Sequence, residues 1–163
     1  MNKSNNGTGN CVERDEWRTP QWLFDLLNNQ YHFNFDCCAS EANKKCRNFS
    51  SRFESDFLEP VDLRIMNYIC WMNPPFSKAS IMFNTFFSIV IKGIAIYRCD
   101  NMETKMWQEV IFPNADWIFI PNKRISYKGM EGKGSRFPSA LIGLNVPYPK
   151  NLKGRLLEVK RCV

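Results

Sequence analysis

The sequence predicts a single α/β domain built on a mostly parallel sheet with an antiparallel strand at one edge. Three observations carry this. Apolar runs of strand length, "NYICWM", "IAIYRC", "DWIFIP" and "SALIGL", recur along the chain. Amphipathic segments of helical period separate several of them, the alternation that builds parallel sheets. The chain has 163 residues, enough for one sizeable core and too few for two ordinary domains.

The elements follow in order. Residues 1–13 are rich in Asn and Gly and carry little to bury, so they read as a flexible tail before a domain spanning 14–163. "TPQWLFDLLNNQY" places Thr19 as an N-cap and Pro20 at the first helical position. Trp22, Leu23, Leu26 and Leu27 then form one apolar face. "HFNFDCC" alternates Phe33 and Phe35 with polar neighbours and ends at Asp36, as a strand does. Between Glu41 and Asp56 only a helical turn around Ala42 to Cys46 is readable. "NYICWM" is a strand that must stop at Pro74 and Pro75, which donate no ladder hydrogen bond. "IMFNTFFSIVIKG" spaces Ile81, Met82, Phe86 and Val90 as a helix, with Gly93 as its left-handed stop. "TKMWQEVI" reads as a short helix, and the late strands "DWIFIP" and "SALIGL" as an antiparallel pair at one edge. The basic C-terminal "KNLKGRLLEVKRCV" reads as a solvated helix or a tail.

Composition narrows the function. Lys and Arg total 22 against 16 acids, a net charge of +6, which suits a polyanionic partner. Seven cysteines form no CxxC pair and there is a single histidine, so no metal site is expected. Cysteines set in apolar runs suit a reducing compartment. With neither an apolar leader nor a run of membrane-spanning length, a cytoplasmic protein without membrane contact is expected.

The chemistry concentrates at Asn73-Pro74-Pro75-Phe76. Ligands of open α/β sheets gather at the carboxyl ends of strands, where this turn lies. The prolines fix φ and stiffen the turn. The Asn73 side-chain oxygen and the Pro74 carbonyl form an acceptor pair for the two N–H bonds of a planar exocyclic amine, with Phe76 to stack on its ring. When a methyl group arrives, the nitrogen gains positive charge, and acceptors aimed at it favour the transition state over the ground state. A surface turn that merely ends a strand would use the same residues.

Asn-Pro-Pro-Phe resembles the (Asp/Asn/Ser)-Pro-Pro-(Tyr/Phe/Trp) motif of amino-group methyltransferases. The order in which other residues occur is similar to that of compact phage-type DNA N6-adenine methyltransferases of the Dam group. Trp17, Thr19 and Pro20 come first, then Phe33, Phe35, Asp36 and Ala39, then Asn43, Cys46, Asp56 and Leu58, and then the Pro-Pro turn. The resemblance continues weakly through Arg98, Thr104 and Trp107 to Arg124, covering roughly residues 15–145.

The resemblance implies a Rossmann-like methyltransferase fold, S-adenosylmethionine as cofactor and DNA as partner, in a host-cell cytoplasm if a phage encodes the chain. It implies that Asn73, Pro74, Pro75 and Phe76 are catalytic. Thr19 and Pro20 would lie against the methionine end of the cofactor with Trp17 packed nearby. Asp36, Cys38 and Ala39 would form the first cofactor turn, and Asp56 would approach the cofactor's adenine. Singly, each also suits a plain structural role: a helix start, a strand-end cap, a solvated acid. "DCCASEAN" departs from larger methyltransferase families in lacking glycine at that turn.

The segment 122–136 carries five basic residues, one acid and three glycines. Lys123, Arg124, Lys128, Lys133 and Arg136 are candidates for neutralising phosphates, or belong to a solvated loop. A duplex target would have to be flipped out of its stack, with Tyr127 and Phe137 as candidates to support the gap. Cytosine N4 and a protein glutamine amide remain alternative acceptors, and a non-catalytic nucleic-acid-binding protein on the same scaffold remains an alternative class.

Overall fold

A computed structural model describes residues 15–51, 67–128 and 137–159. The expected tail, residues 1–13, lies outside the described residues.

Among the described residues, seven strands form one sheet: β1 Phe35–Asp36, β2 Asn48–Phe49, β3 Ile69–Met72, β4 Lys92–Arg98, β5 Trp117–Pro121, β6 Ser139–Leu144 and β7 Gly154–Glu158. Their order across the sheet is β2-β1-β3-β4-β6-β5-β7. The first three pairings, through β4, are parallel, and the three from β4 through β6 and β5 to β7 are antiparallel. The mostly parallel expectation is therefore corrected: antiparallel pairing makes up half of the sheet and supplies its longest ladder, Gly93–Arg98 against Leu144–Ser139. "SALIGL" pairs antiparallel with "DWIFIP" as expected, but it enters the sheet beside β4 rather than at the edge. The edge is β7, in the segment read as a solvated helix or a tail.

Alternation along the strands explains how both faces are covered. Successive side chains point to opposite faces. Cys70, Met72, Ala95, Tyr97, Ile118, Ala140 and Ile142 face one layer, which holds helix α2 (Ala79–Ile89) and the π-helical turn Met106–Ile111. Trp71, Ile94, Ile96, Trp117, Phe119 and Leu141 face the other, which holds helix α1 (Gln21–Tyr31). Because both faces are covered, β4 and β6 read as nearly unbroken apolar runs.

Helix α1 buries Leu23, Phe24, Leu27 and Tyr31. The expected apolar face was rotated by one position, since Trp22 lies 55% exposed. Its N-cap is Pro20, in extended geometry, and no side chain caps it, so Thr19 is not the cap that the sequence suggested. Helix α2 ends at Val90, whose N–H donates to Phe86 O, and not at Gly93. Gly93 lies inside β4 opposite Cys70, where an added Cβ would stand 2.6 Å from the Cys70 carbonyl oxygen. The helical turn expected around Ala42–Cys46 is a single turn set slightly earlier, with the Ser40 carbonyl accepting the Asn43 and Lys44 N–H groups, and it leads into the short strand β2. Among the described residues, no helix is long and apolar enough to cross a membrane.

Candidate active site

β1 and β3 are hydrogen-bonded neighbours, yet the chain leaves β1 for β2 on one side and returns to β3 on the other. Such a reversal opens a crevice at the carboxyl ends of the two strands. Asp36 ends β1 and Asn73 follows β3 directly. A cleft of about 290 Å³ occupies this place, with Trp17, Thr19, Asp36, Cys38, Asn73 and Pro75 in its wall.

The turn after β3 is stiff, with Pro75 at φ −59 and ψ 139. The Pro75 carbonyl accepts the Lys78 N–H at 3.1 Å, which starts the 3-10 turn Phe76–Lys78 and then α2. Asn73 is half-buried, and its Nδ2 donates to the Trp17 carbonyl at 3.1 Å. A carbonyl only accepts, so this bond sets the amide's orientation: the NH2 group faces Trp17 and Oδ1 is turned away from it. A second tie joins the same two segments. Asp15 Oδ1 accepts the Ser77 N–H at 3.0 Å, and its other oxygen accepts the Ser77 hydroxyl. Residues 15–20 and the Pro-Pro turn thus make one wall.

Opposite them, Asp36 is 3% exposed. Its Oδ1 accepts the Cys38 N–H at 3.3 Å and its Oδ2 accepts the Lys45 N–H at 2.9 Å. Burial raises the Asp36 pKa, opposed by those two N–H groups and by the Lys45 charge. The carboxylate therefore folds the glycine-free loop 37–45 around itself. Ala39 N–H donates to Ser50 O, which carries the loop back to β2. Thr19 is 2% exposed, and its Oγ1 has no hydrogen-bond partner among the described residues although Thr19 borders the cleft. A buried, unpartnered hydroxyl at a cleft wall is a ready partner for a polar ligand atom.

A family model for DNA N-6-adenine-methyltransferase (Dam) matches residues 7–140, a span that contains every cleft residue. The chain belongs to the Dam family of DNA N-6-adenine-methyltransferases. It is 27% identical over 132 residues to the DNA N-6-adenine-methyltransferase of Haemophilus phage HP1 (strain HP1c1), covering 78% of this chain and 72% of that protein. It is 36% identical over 69 residues to the DNA N-6-adenine-methyltransferase of Escherichia phage T1, covering 42% of this chain and 28% of that one. Adenine N6 in DNA is accordingly the family's methyl acceptor, and the family implies a methyl donor.

In this Dam-family chain the cleft unites Trp17, Thr19, Asp36, Cys38, Ala39, Asn73 and Pro75. Pro20 and Pro74 are buried outside its lining. Phe76 is half-buried among aromatics, 5.8 Å edge-on from Trp17 and 5.5 Å from Phe137 by ring centroids. Tyr127 and Phe137 belong to that same cluster and are buried in it. Lys123, Arg124 and Lys128 are exposed and outside the cleft lining. Asp56, Lys133 and Arg136 lie outside the described residues.

Sequence reading missed Asp15, Arg18, Lys45 and Ser77. Asp15 and Ser77 are 62 residues apart, and no local pattern links them. Arg18 is bracketed by the motif residues Trp17 and Thr19, a signal that was present.

Proposed function

We propose that the cleft between the ends of β1 and β3 takes S-adenosylmethionine together with an adenine of DNA, and that Asn73 holds the adenine amine during direct methyl transfer. One observation carries this reading: the Trp17 carbonyl binds the Asn73 amide by its NH2 group, leaving the oxygen turned away from Trp17, in the wall of a cleft shared with Thr19 and Asp36. The unpartnered Thr19 hydroxyl in the cleft wall supports a polar ligand of this kind. Thr19, Cys38 and Ala39 would hold it, and Asp36 would keep the loop beside it in shape. When bound, S-adenosylmethionine supplies an electrophilic methyl group on its sulfonium.

The residues of the chain do the rest. Asn73 Oδ1 accepts one N–H of the adenine amine and the Pro74 carbonyl the other, while Pro75 keeps the turn rigid. As the nitrogen acquires a fourth bond, its charge grows and both acceptors bind it more strongly. Its N–H becomes acidic at the same moment, so the proton passes to water without a strong base. Phe76 backs the pocket through its aromatic neighbours. The strand directions support a Rossmann-like arrangement in one domain: β5 runs the same way as β1 to β4, because β6 is antiparallel to both β4 and β5. The site of action would be the cytoplasm of the cell that holds the DNA.

The test is transfer of radiolabelled methyl from S-adenosylmethionine to duplex DNA, followed by digestion and identification of the labelled nucleoside. Label in N6-methyladenine is expected. Label in N4-methylcytosine or in protein would overturn the acceptor assignment.

A further inference from the structure

Arg18 and Lys128 exchange both backbone hydrogen bonds, Arg18 N–H to Lys128 O at 3.1 Å and Lys128 N–H to Arg18 O at 2.9 Å. In an antiparallel pair of this type the Cα atoms stand about 5.5 Å apart and the two side chains leave the ribbon on the same face. Two cations are therefore set directly opposite one another, an arrangement that opposes folding. Lys45 joins them from the loop after β1. Arg18 and Lys45 both line the cleft; burial is the largest cause lowering the Lys45 pKa, the Asp36 and Asp25 charges raise it, and the Lys128 and Arg18 charges lower it.

Asp36 and Asp25 offset part of the Lys45 charge, yet each is also held by another group. Asp36 is held by the Cys38 and Lys45 N–H groups, and Asp25 accepts from the Gln21 amide at 2.8 Å. Glu41 pairs with Lys44, and Asp15 is bound to Ser77. None of Arg18, Lys45 and Lys128 forms an ion pair with a described residue; Lys45 Nζ donates to the neutral Gln21 Oε1 at 2.6 Å. Among the described residues, three chain segments bring like charge together at the mouth of the cleft with no ion pair to any of the three, an arrangement that an external anion would relieve.

We propose that Arg18, Lys45 and Lys128 form a seat for a backbone phosphate of the DNA strand that delivers its adenine to the cleft. This rests on the methyltransferase reading above. A phosphate oxygen group accepts from several donors at once, and a guanidinium beside two ammonium groups suits it. Its place at the mouth of the cleft would anchor the strand next to the nucleotide being drawn in, so the contact positions the DNA without reading its sequence.

The experiment measures the binding of a fluorescent DNA duplex to the full-length chain across a salt series, for wild type, Arg18→Gln/Lys128→Gln, and the triple variant that adds Lys45→Gln. Calorimetric titration with S-adenosylmethionine runs alongside. The variants should bind DNA more weakly, with a slope of log K against log salt shallower by about 0.9 for the phosphate lost, and should bind the donor as wild type does. At low salt the free double variant should melt at or above the wild-type temperature, because a repulsion has been removed. Unchanged DNA affinity and slope would overturn the seat. Lost donor affinity with DNA affinity intact would also overturn it, by assigning the anion to the donor's carboxylate. A lower melting temperature would point to a structural role instead. If the triple variant fails to fold, Lys128→Gln alone, at an exposed position, still reads the slope. Wild type that binds DNA with the full slope but methylates nothing would sink the catalytic reading and leave the seat standing.

Discussion

Replacing Asn73 by alanine removes two things at once, and the structure separates their sizes. The bond from Nδ2 to the Trp17 carbonyl, 3.1 Å long, contributes to folding. Its loss should cost about 1 kcal/mol, which for a chain of this length lowers the melting temperature by about 2–4 °C. Oδ1, turned away from Trp17, contributes nothing to folding in this reading and acts only on the charged nitrogen of the transition state. Losing one preorganised electrostatic partner of that kind lowers kcat by about 10²–10³-fold, equivalent to about 2.7–4 kcal/mol. The assay is single-turnover transfer of labelled methyl to duplex DNA at saturating donor and DNA, with thermal unfolding and donor titration on the same preparations. A folded Asn73→Ala variant should bind the donor within a few-fold of wild type and transfer methyl at least about 100-fold more slowly. Turnover within about threefold of wild type in a folded variant would show that the amide oxygen does not grip the amine, and the mechanism would fail.

Three further outcomes follow from the same geometry. Thr19→Val keeps the shape and removes the unpartnered Oγ1, so the free protein should be as stable as wild type while donor affinity falls about tenfold; equal donor affinity by calorimetry would remove Thr19 from the site. Asp15→Ala unties Ser77 and loosens the wall that carries Asn73, so kcat should fall by about 10–100-fold with the KM for DNA little changed, and Asp15→Asn, which still accepts the Ser77 N–H, should recover part of it; a change confined to KM would count against this. The hydrogen bonds from Arg98 hold the Asp100 pKa below its ordinary 3.8, so this carboxylate stabilises the fold above that pH, and the contribution is lost as pH falls through the lowered folded-state value. Urea unfolding from pH 7 downward should therefore show wild type losing its advantage over Asp100→Asn below about pH 4, and a constant difference between the two would refute the pairing.

Much of the fold was legible because it is encoded by near neighbours. The strands at Ile69–Met72, Trp117–Pro121 and Ser139–Leu144 announced themselves as apolar runs bounded by turn residues. Helix α2 showed its period, and the Pro-Pro turn ended its strand where two missing N–H groups required it. What misled the reading was local chemistry overruled by packing. Gly93 looks like a helix stop, but it serves β4, because the strand passes too close to Cys70 and Phe86 for a side chain there. Thr19 looks like a cap, but Pro20 takes that position and leaves the hydroxyl to the cleft. β7 was missed because this exposed edge strand, Gly-Arg-Leu-Leu-Glu, has neither a period-two alternation nor an apolar run longer than two residues to betray it.

The sequence by itself determined that a rigid Asn-Pro-Pro turn follows a buried strand and that an acid ends an earlier one, since both depend on residues adjacent in the chain. Only the tertiary structure decided that β1 and β3 lie side by side, that Trp17 orients Asn73 across 56 residues, and that Arg18 stands opposite Lys128. The physical reason is that strand order and cross-chain hydrogen bonds follow from how two helical layers cover one sheet. That is a balance struck over the whole core, and no short stretch of residues records it.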